Sequence, residues 1–298
     1  MERVLERLPS GSRVAIIRLR SLGDCVLTTP ALAILDRFRP DLRVAVVVED
    51  RFRAIFHEQA LPPSLAALRR FRPDLCLNLH GGTRSAWLTA LSGARYRAGF
   101  AHFRHQFPYN IHIPRAQEIL GVDRKVHTAE HLASAIFYLG APPAPIGAAT
   151  VRERYPRNPV ASTPAPRAVI HPVATRPDKT WPPDKFLSVA EHLKTCGIEP
   201  VFIGAAADDL TPFAAFRIIR GAPLEEIQSL LTGASLFIGN DSGPAHMAAA
   251  AGLPVIAIFI ASDPEIWGPW RTTSEVLTGP RVTVAEVLEA LARMRVHA

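Results

Sequence analysis

Two series of short apolar segments, each interleaved with helical patterns, constrain the fold of this chain most. In the first half, Val14–Leu19, Val44–Val48 and Leu75–Leu79 are apolar on both faces. Strands that are buried on both faces are typical of parallel sheets covered by helices. The segments between them, Thr28–Phe38 and Ser64–Arg70, have helical character. The first half therefore predicts an α/β unit with a parallel sheet.

The same alternation resumes after Gly140–Ala168, a stretch rich in proline, alanine and glycine that is typical of a domain boundary. The predicted strands of the second half are Ala168–His171, Glu199–Ile203, Leu236–Gly239 and Val255–Phe259, and its helices are Asp184–Cys196, Leu224–Leu231 and Ala245–Ala251. We predict domains over residues 1–155 and 156–282, followed by an amphipathic helix within 283–298. Ligands of open α/β sheets bind beyond the carboxyl ends of the strands. The expected site is a cleft between the two domains.

Charge and cysteine content narrow the classes of function. The net charge is +7, and residues 1–140 hold 20 basic against 12 acidic side chains. This excess suggests an anionic partner, or simply a preference for arginine, since only four of the 34 cations are lysine. No basic motif with interleaved aromatic residues favours nucleic acid. The three isolated cysteines and the absence of a signal-peptide pattern favour the cytoplasm, and no metal-ligand spacing is present.

The first chemistry-bearing stretch is RLRSLGDCVLTTPAL, which starts at Arg18. We expect the strand to end near Leu19. A turn at Gly23 should follow, and a helix should begin near Thr28. Asp24 then lies at the edge of the sheet. It can act as a general base toward a bound hydroxyl, or it can cap the following helix.

The second stretch is HPVATRPDKTWPPDKF, directly after the first strand of the second half. It brings a hydroxyl and two cations together, from Thr175, Arg176 and Lys179. Such a set suits a pyrophosphate group. The alternative is a solvated loop with Trp181 packed over the core.

The third stretch is GNDSGPAHMAAAAGLP, where a polar turn precedes a helix of small residues. Asp241 or Ser242 is expected to cap this helix, and Gly243 lets a ligand approach the backbone. The helix N-terminus then forms an anion site. Asp241 suits sugar hydroxyls rather than phosphates. The alternative is an ordinary capped helix with His246 on its first turn.

A fourth stretch, IASDPEIWGPW, follows the last of these strands. Ser262 and Asp263 are expected at the same edge of the sheet. Trp267 and Trp270 can stack on a ligand ring, although packing against the protein is the favoured interpretation.

Together, and in this order, these stretches resemble glycosyltransferase family 9, the lipopolysaccharide heptosyltransferases. The resemblance rests on GDCVLTTPAL, TRPDKTWPPDKF and GNDSGPAHMAAAAGLPVIAIF followed by SDP. It implies an α/β GT-B fold, with two Rossmann-like domains whose parallel sheets face each other across a cleft. It further implies inverting, metal-independent transfer of heptose from the nucleotide sugar ADP-heptose to the lipopolysaccharide inner core, an anionic glycolipid. No cofactor is expected, and the cytoplasmic face of the inner membrane, with peripheral contact, is the expected location.

The resemblance also assigns roles to residues. Asp24 would be the catalytic base. The donor would be bound by Thr175, Arg176, Lys179, Asp208, Asp241, Ser242, Gly243 and His246. The basic residues of the first half suit a phosphorylated acceptor, with candidate contacts at Arg20, Arg97, Arg104 and His105. The terminal helix would pack back toward the first domain.

One departure from the family pattern leaves the donor open. The run IGAAADDL has a single glycine, Gly204, before Asp208, where a glycine pair is usual. Two alternatives therefore stay beside the heptosyltransferase prediction. The chain could use another sugar nucleotide for a different cell-surface glycan, or it could bind a sugar nucleotide without catalysis.

Overall fold

The protein divides into two compact units, Met1–Ala149 and Thr150–Ala298. The computed structural model describes residues 3–151, 166–174 and 176–294. The division falls slightly before the predicted boundary at residue 155, within the proline-rich stretch. About half of that stretch, residues 152–165, lies outside the described residues.

The first unit contains a six-stranded sheet in which every pair of neighbouring strands is parallel. Its strands are β1 (Arg13–Ile17), β2 (Arg43–Val47), β3 (Ala60–Leu61), β4 (Leu75–Asn78), β5 (Tyr96–Phe100) and β6 (Ile111–Ile113). Its helices are α1 (Val4–Arg7), α2 (Leu22–Phe38), α3 (Leu65–Phe71), α4 (Thr83–Ala90), α5 (Ala116–Leu120) and α6 (Thr128–Tyr138). The central strands β1 and β4 are almost completely buried, as their apolar sequences predict.

The second unit repeats this plan with its own six-stranded parallel sheet. Its strands are β7 (Arg167–His171), β8 (Glu199–Gly204), β9 (Arg217–Arg220), β10 (Leu236–Asn240), β11 (Val255–Phe259) and β12 (Ser274–Thr278). Its helices are α7 (Pro183–Thr195), α8 (Leu224–Thr232), α9 (Gly243–Ala250), α10 (Pro264–Trp267) and α11 (Val284–Arg293). The core is built on Trp181, Phe186, Phe202 and Phe213, which are fully buried.

The strand orders explain where ligands can bind. The first sheet runs β3-β2-β1-β4-β5-β6, and the second runs β12-β11-β10-β7-β8-β9. Read from its own first strand, each order is that of a doubly wound Rossmann sheet, 3-2-1-4-5-6. The order reverses between β1 and β4, and again between β7 and β10. In such sheets the crevice at the carboxyl end of this switch point is the ligand site.

The apolar pattern of the sequence predicts only half of the strands in the first unit. It does not reveal β3, β5 or β6, because Ala60–Leu61 and Ile111–Ile113 are only two and three residues long and Tyr96–Phe100 contains an arginine and a glycine. It also missed α6, whose cap is His127 rather than one of the usual capping residues. The other predicted elements are present, with their ends shifted by a few residues.

The terminal helix α11 packs inside the second unit. Thr283 caps it, and its apolar face, Val287, Ala290 and Leu291, is buried in the core that contains Trp181. Packing of this helix toward the first domain stays a prediction. Residues 295–298 lie outside the described residues.

Within the described ranges, no helix combines the length and the apolar character that crossing a bilayer requires.

Candidate functional site

Two groups of polar side chains lie at the carboxyl ends of central strands, one group in each unit. In the first unit they follow β1 and β4, and in the second unit they follow β7, β10 and β11. Both groups therefore occupy the switch point of their own sheet.

Asp24 lies on the first turn of α2. The helix begins at Leu22, six residues before the predicted start, so the turn expected at Gly23 is wrong and Gly23 is helical. Ser21 is the N-cap, and Asp24 Oδ2 accepts hydrogen bonds from the Ser21 N–H (3.1 Å) and hydroxyl (3.0 Å). Asp24 is therefore not the N-cap that the capping interpretation expected, but the third residue of the helix, where its Oδ2 closes a capping box with Ser21.

The other carboxylate oxygen of Asp24 faces a buried cation. Arg18 Nη1 lies 3.4 Å from Asp24 Oδ1, and the two side chains are 7% and 20% exposed. Burial lowers the pKa of Arg18, and the charge of Asp24 opposes this shift. Arg18 Nε is buried and has no hydrogen-bond partner among the described residues. Asp24 thus compensates a charge that would otherwise be costly to bury.

His80 lies on the turn after β4, beside this pair. The buried Asn78 side chain shapes the turn, because its Oδ1 accepts the N–H groups of His80 (2.9 Å) and Gly81 (3.1 Å). Gly81 has φ +74°, and a Cβ there would meet the Phe103 ring at 2.6 Å. Burial and the charge of Arg18 lower the pKa of His80. His80 is therefore a neutral imidazole near neutral pH.

His131 of α6 is a second buried imidazole of this unit. Its ring stacks on Phe100 with centroids 4.0 Å apart. Burial, with smaller effects of His102 and Arg18, lowers the pKa of His131 to about 4. Arg18, His80 and His131 are not among the site residues that the sequence predicts. The available signal was a polar residue directly after a buried strand, for Arg18 and His80, whereas His131 had none.

The predicted acceptor residues have different surroundings. Arg20 is exposed and contributes to the field at His80. Arg97 donates to the backbone carbonyls of Pro108 (2.8 Å) and Ala94 (2.9 Å), so its guanidinium holds the segment between β5 and β6. Arg104 is exposed, and His105 Nε2 lies 3.0 Å from Thr83 Oγ1 at the start of α4.

In the second unit, the carboxylate of Asp241 contacts two side chains from distant parts of the chain. Lys179, from the loop after β7, has its Nζ 3.4 Å from Asp241 Oδ2. Ser262, after β11, donates its hydroxyl to the same oxygen. Both side chains of the ion pair are largely buried, at 24% and 12% exposure. The prediction that these three loops share one edge of the sheet is confirmed.

The N-terminus of α9 lies directly beyond Asp241. Ser242 is the N-cap, Gly243 is the first helical residue and Pro244 lies in the first turn. The Gly243 N–H has no partner inside the helix, as expected for this position. The Ser242 hydroxyl contacts His171 Nδ1 at 3.1 Å instead of capping the helix through its side chain. His246, on the first turn, is buried.

His171 closes the site at the end of β7. Burial lowers its pKa to about 4, against a smaller opposing effect of Asp208. The imidazole is therefore neutral at physiological pH. It can form one hydrogen bond with Ser242 without adding charge beside an anion bound at the N-terminus of α9.

Asn240, the last residue of β10, holds the loop that carries Lys179 against the turn before α9. Its buried side chain accepts the Trp181 N–H (2.9 Å) and donates to the Pro172 carbonyl (2.9 Å). Trp181 is fully buried, and its indole N–H donates to the Val282 carbonyl (2.9 Å). The interpretation of Trp181 as a packing residue is therefore correct. His171 and Asn240 lie in the second and third chemistry-bearing stretches, but the sequence did not predict them as site residues.

Two predicted donor residues, Arg176 and Asp208, are not part of this group, and a third cannot be assigned to it or excluded from it. Thr175 lies outside the described residues. Arg176 forms a bidentate pair with Asp178, at 2.9 and 2.5 Å, on the surface. Asp208 accepts the Ala205 N–H of its own turn at 2.6 Å, and its charge is felt at His171. Contacts of these residues to a donor stay predictions.

In the parts of the chain that the structure describes, no group of three or more His, Cys, Asp or Glu side chains is arranged to hold a metal ion. Metal independence stays a prediction, because this observation does not bear on the reaction itself.

Comparison with known proteins identifies the family. The sequence profile of glycosyltransferase family 9 (heptosyltransferase) matches residues 65–290, about three quarters of the chain. The chain belongs to glycosyltransferase family 9. The family match covers Lys179, Asp241 and Ser262, whereas Asp24 precedes the matched range.

Curated relatives extend the family comparison. Lipopolysaccharide heptosyltransferase 1 of Escherichia coli K12 is 24% identical over 90% of this chain and 94% of that protein. Lipopolysaccharide heptosyltransferase 3 of the same strain is 38% identical, but over 34% of this chain only. The match spans about a third of the length of the heptosyltransferase 3 relatives, 33% in each case.

Solved structures of family 9 members share the fold. Escherichia coli heptosyltransferase WaaC with ADP superposes with a TM-score of 0.77, over 94% of this chain and 99% of WaaC, at 22% identity. Escherichia coli ADP-heptose lipopolysaccharide heptosyltransferase II gives 0.77, over 95% and 98%, at 19% identity. The predicted α/β GT-B class, with two Rossmann-like units, is confirmed.

Proposed function

We propose that this protein is an inverting, metal-independent glycosyltransferase that transfers heptose from ADP-heptose to the inner core of lipopolysaccharide. Membership of family 9 supports glycosyl transfer. The extent of similarity to heptosyltransferase 1, over most of both chains, supports lipopolysaccharide as the acceptor. Two structures of the related WaaC carry ADP and ADP-2-deoxy-2-fluoro heptose, which supports the donor.

One observation carries the donor side of this proposal. A lysine, a carboxylate and a hydroxyl from three separate loops meet at the N-terminus of α9. The cation and the helix N-terminus suit a diphosphate. A carboxylate repels phosphate, so Asp241 is suited to the sugar hydroxyls instead. A nucleoside diphosphate sugar needs both kinds of group side by side.

Lys179 would act on the leaving group. As the bond from the anomeric carbon to the diphosphate breaks, negative charge accumulates on the diphosphate. Lys179 Nζ and the Gly243 N–H would stabilise that charge. Asp241 holds Lys179 in position before the donor arrives, at 3.4 Å, and Ser262 satisfies the same carboxylate oxygen once the lysine turns to the phosphates.

Asp24 would activate the acceptor. Its Oδ2 is fixed by the capping box of α2, which leaves Oδ1 as the proton acceptor. Oδ1 would take the proton of the attacking hydroxyl while the oxygen bonds to the anomeric carbon and the diphosphate leaves from the opposite face. This single displacement inverts the anomeric centre. Arg18 orients the carboxylate by lying against Oδ1.

The acceptor would be recognised by positive charge in the first unit. Arg20 and His80 lie in the same field as Asp24, and Arg104 is exposed. We assign Arg20 as an acceptor contact and keep Arg104 and His105 as further candidates. Arg97 is left out because its guanidinium is already engaged with backbone carbonyls. A glycolipid acceptor would bring the protein to the cytoplasmic face of the inner membrane, through peripheral contact.

A donor panel tests this proposal. Thermal unfolding is followed with ADP-heptose, ADP, UDP-glucose and GDP-mannose, because a ligand that binds the folded state raises its melting temperature. We expect stabilisation by ADP-heptose and ADP, and a loss of that stabilisation in Lys179→Met. Stabilisation by UDP- or GDP-sugars alone would refute the donor assignment and favour a transferase of another cell-surface glycan. Donor binding without transfer to any acceptor would favour a non-catalytic member.

A further inference from the structure

Three large hydrophobic side chains in the first unit form an exposed patch. In the described ranges, the large hydrophobic residues that are exposed are Trp87 (54%), Leu91 (41%) and Phe107 (59%). The rings of Trp87 and Phe107 are in contact, with centroids 5.1 Å apart. Leu91 lies one helical turn after Trp87, and its N–H donates to the Trp87 carbonyl at 3.0 Å. We call these three residues the Trp87 patch.

Single exposed hydrophobic residues need no explanation, but a contiguous group marks a contact surface. No fold-level reason requires these residues to be apolar. Trp87 and Leu91 are on the outward side of α4, since Ala86 and Leu88, which flank Trp87, are buried. The patch is therefore additional to the hydrophobic core.

Three arginines lie next to the Trp87 patch, one through a contact and two through their positions in the sequence. Arg84 precedes Trp87 by one turn and is exposed. Arg69 donates from Nε to the Leu91 carbonyl at 3.0 Å. Arg104 lies three residues before Phe107 and is exposed. None of these three arginines forms an ion pair with a described residue.

The sequence around the patch contains no negative charge. Residues 75–117 include five arginines and neither aspartate nor glutamate. These 43 consecutive residues therefore account for much of the excess of basic over acidic side chains in residues 1–140. An anionic surface would meet this region without local repulsion.

We propose that the Trp87 patch docks on an anionic phospholipid bilayer. Trp and Phe side chains enter the headgroup region, where amphipathic aromatic rings are favoured, while the surrounding arginines contact lipid phosphates. Charge complementarity selects this occupant over an apolar protein partner. The inference deepens the proposed function, because a glycolipid acceptor is presented at such a surface, but it depends on the patch alone.

Vesicle binding tests the proposal without donor or acceptor. Co-sedimentation is measured with phosphatidylcholine vesicles and with vesicles that contain about 30% phosphatidylglycerol. We expect binding to the anionic vesicles and little binding to the neutral ones. The double variant Trp87→Ser, Phe107→Ser should lose most of this binding. Arg84→Gln should weaken it about fivefold, the effect of one arginine near an anionic surface.

Two matched variants serve as controls. Arg281→Gln removes one exposed arginine from the second unit and should leave vesicle binding unchanged. Trp87→Phe should keep binding but lose the quenching of tryptophan fluorescence by brominated lipids. The other tryptophans are buried or half-buried, so Trp87 dominates that quenching.

Three outcomes would overturn the proposal. The first is equal binding of the wild type to neutral and anionic vesicles. The second is binding to anionic vesicles that the double variant retains. The third is a wild-type protein that binds no vesicles but forms a dimer, which the double variant does not form. The last result would make the patch an interface between two copies of the chain. Transfer to a soluble, lipid-free acceptor separates this test from the proposed function, because the double variant should transfer sugar at the wild-type rate there.

Discussion

The substitution Asp24→Asn separates the catalytic role that we propose for this residue from its structural role in the capping box and the ion pair. Asparagine can still accept the Ser21 N–H through its side-chain oxygen, so the capping box survives in part. It cannot take a proton from an acceptor hydroxyl. Loss of a general base costs about 10²–10⁴-fold in rate. We expect kcat for heptose transfer to fall by that factor, with little change in the affinity for the donor.

The same substitution also has a cost in stability. It leaves the guanidinium of Arg18, 7% exposed, without its carboxylate partner. Breaking a fully buried ion pair costs about 3–5 kcal/mol. Because Asp24 is one-fifth exposed and the Arg18 distance is long, 3.4 Å, we expect a smaller loss, about 1–3 kcal/mol in the free energy of unfolding.

A double-mutant cycle with Arg18→Met distinguishes the two effects. Urea denaturation and initial transfer rates are measured for the wild type, both single variants and the double variant. The double variant should regain much of the stability lost by Asp24→Asn, because the unpaired buried charge is gone. It should not regain activity. Transfer by Asp24→Asn at the wild-type rate, or recovery of rate together with stability, would refute the role of Asp24 as the base.

Three further predictions concern the second unit and pH. Lys179→Met should lower kcat/KM about 100–1000-fold, since one preorganised charge on the leaving group is lost, and the matched control Lys194→Met, which alters an exposed lysine of α7, should leave the transfer rate unchanged. Asn240→Ala should lower the free energy of unfolding in urea by about 2–4 kcal/mol, because the Trp181 N–H and the Pro172 carbonyl lose their partner; a loss below that range would contradict the role of Asn240 in holding these two groups. His131 has a folded-state pKa of about 4, so its contribution to stability is complete above the unfolded pKa near 6.5 and is lost as the pH falls toward 4. His131→Phe should therefore flatten the pH dependence of unfolding in that window by at most about 1.4 kcal/mol per unit, and an unchanged slope would contradict the assignment.

The repeated strand and helix pattern was enough to predict two parallel α/β units. It worked because the central strands are buried on both faces and therefore apolar throughout, as in Val255–Phe259. It failed for β5, since a strand nearer the edge of a sheet tolerates the arginine of Tyr96–Phe100. The start of α2 was misjudged for a related reason. Gly23 suggested a turn, but Ser21 and Asp24 form a capping box that begins the helix earlier.

Site residues could be predicted where polar side chains and the signals for a turn and a helix start occur in the same stretch of sequence. Asp241, Ser242 and Gly243 stand together before a helix, so their placement followed from local sequence. Asn240 and His171 could not be selected in this way, because their importance comes from contacts with residues 59 and 71 positions away, respectively. Arg18 has the same character, since only the tertiary structure shows that it is buried against Asp24.

The most direct test of the whole account is a transfer assay with defined substrates. The wild-type protein is incubated with ADP-heptose and a Kdo-terminated lipid A acceptor, and the acceptor is analysed by mass spectrometry while ADP release is quantified. We predict that the acceptor gains the mass of one heptose in step with ADP release. The new glycosidic linkage should have the anomeric configuration opposite to that of the donor. Retention of configuration, or transfer from UDP- or GDP-sugars but not from ADP-heptose, would contradict the account.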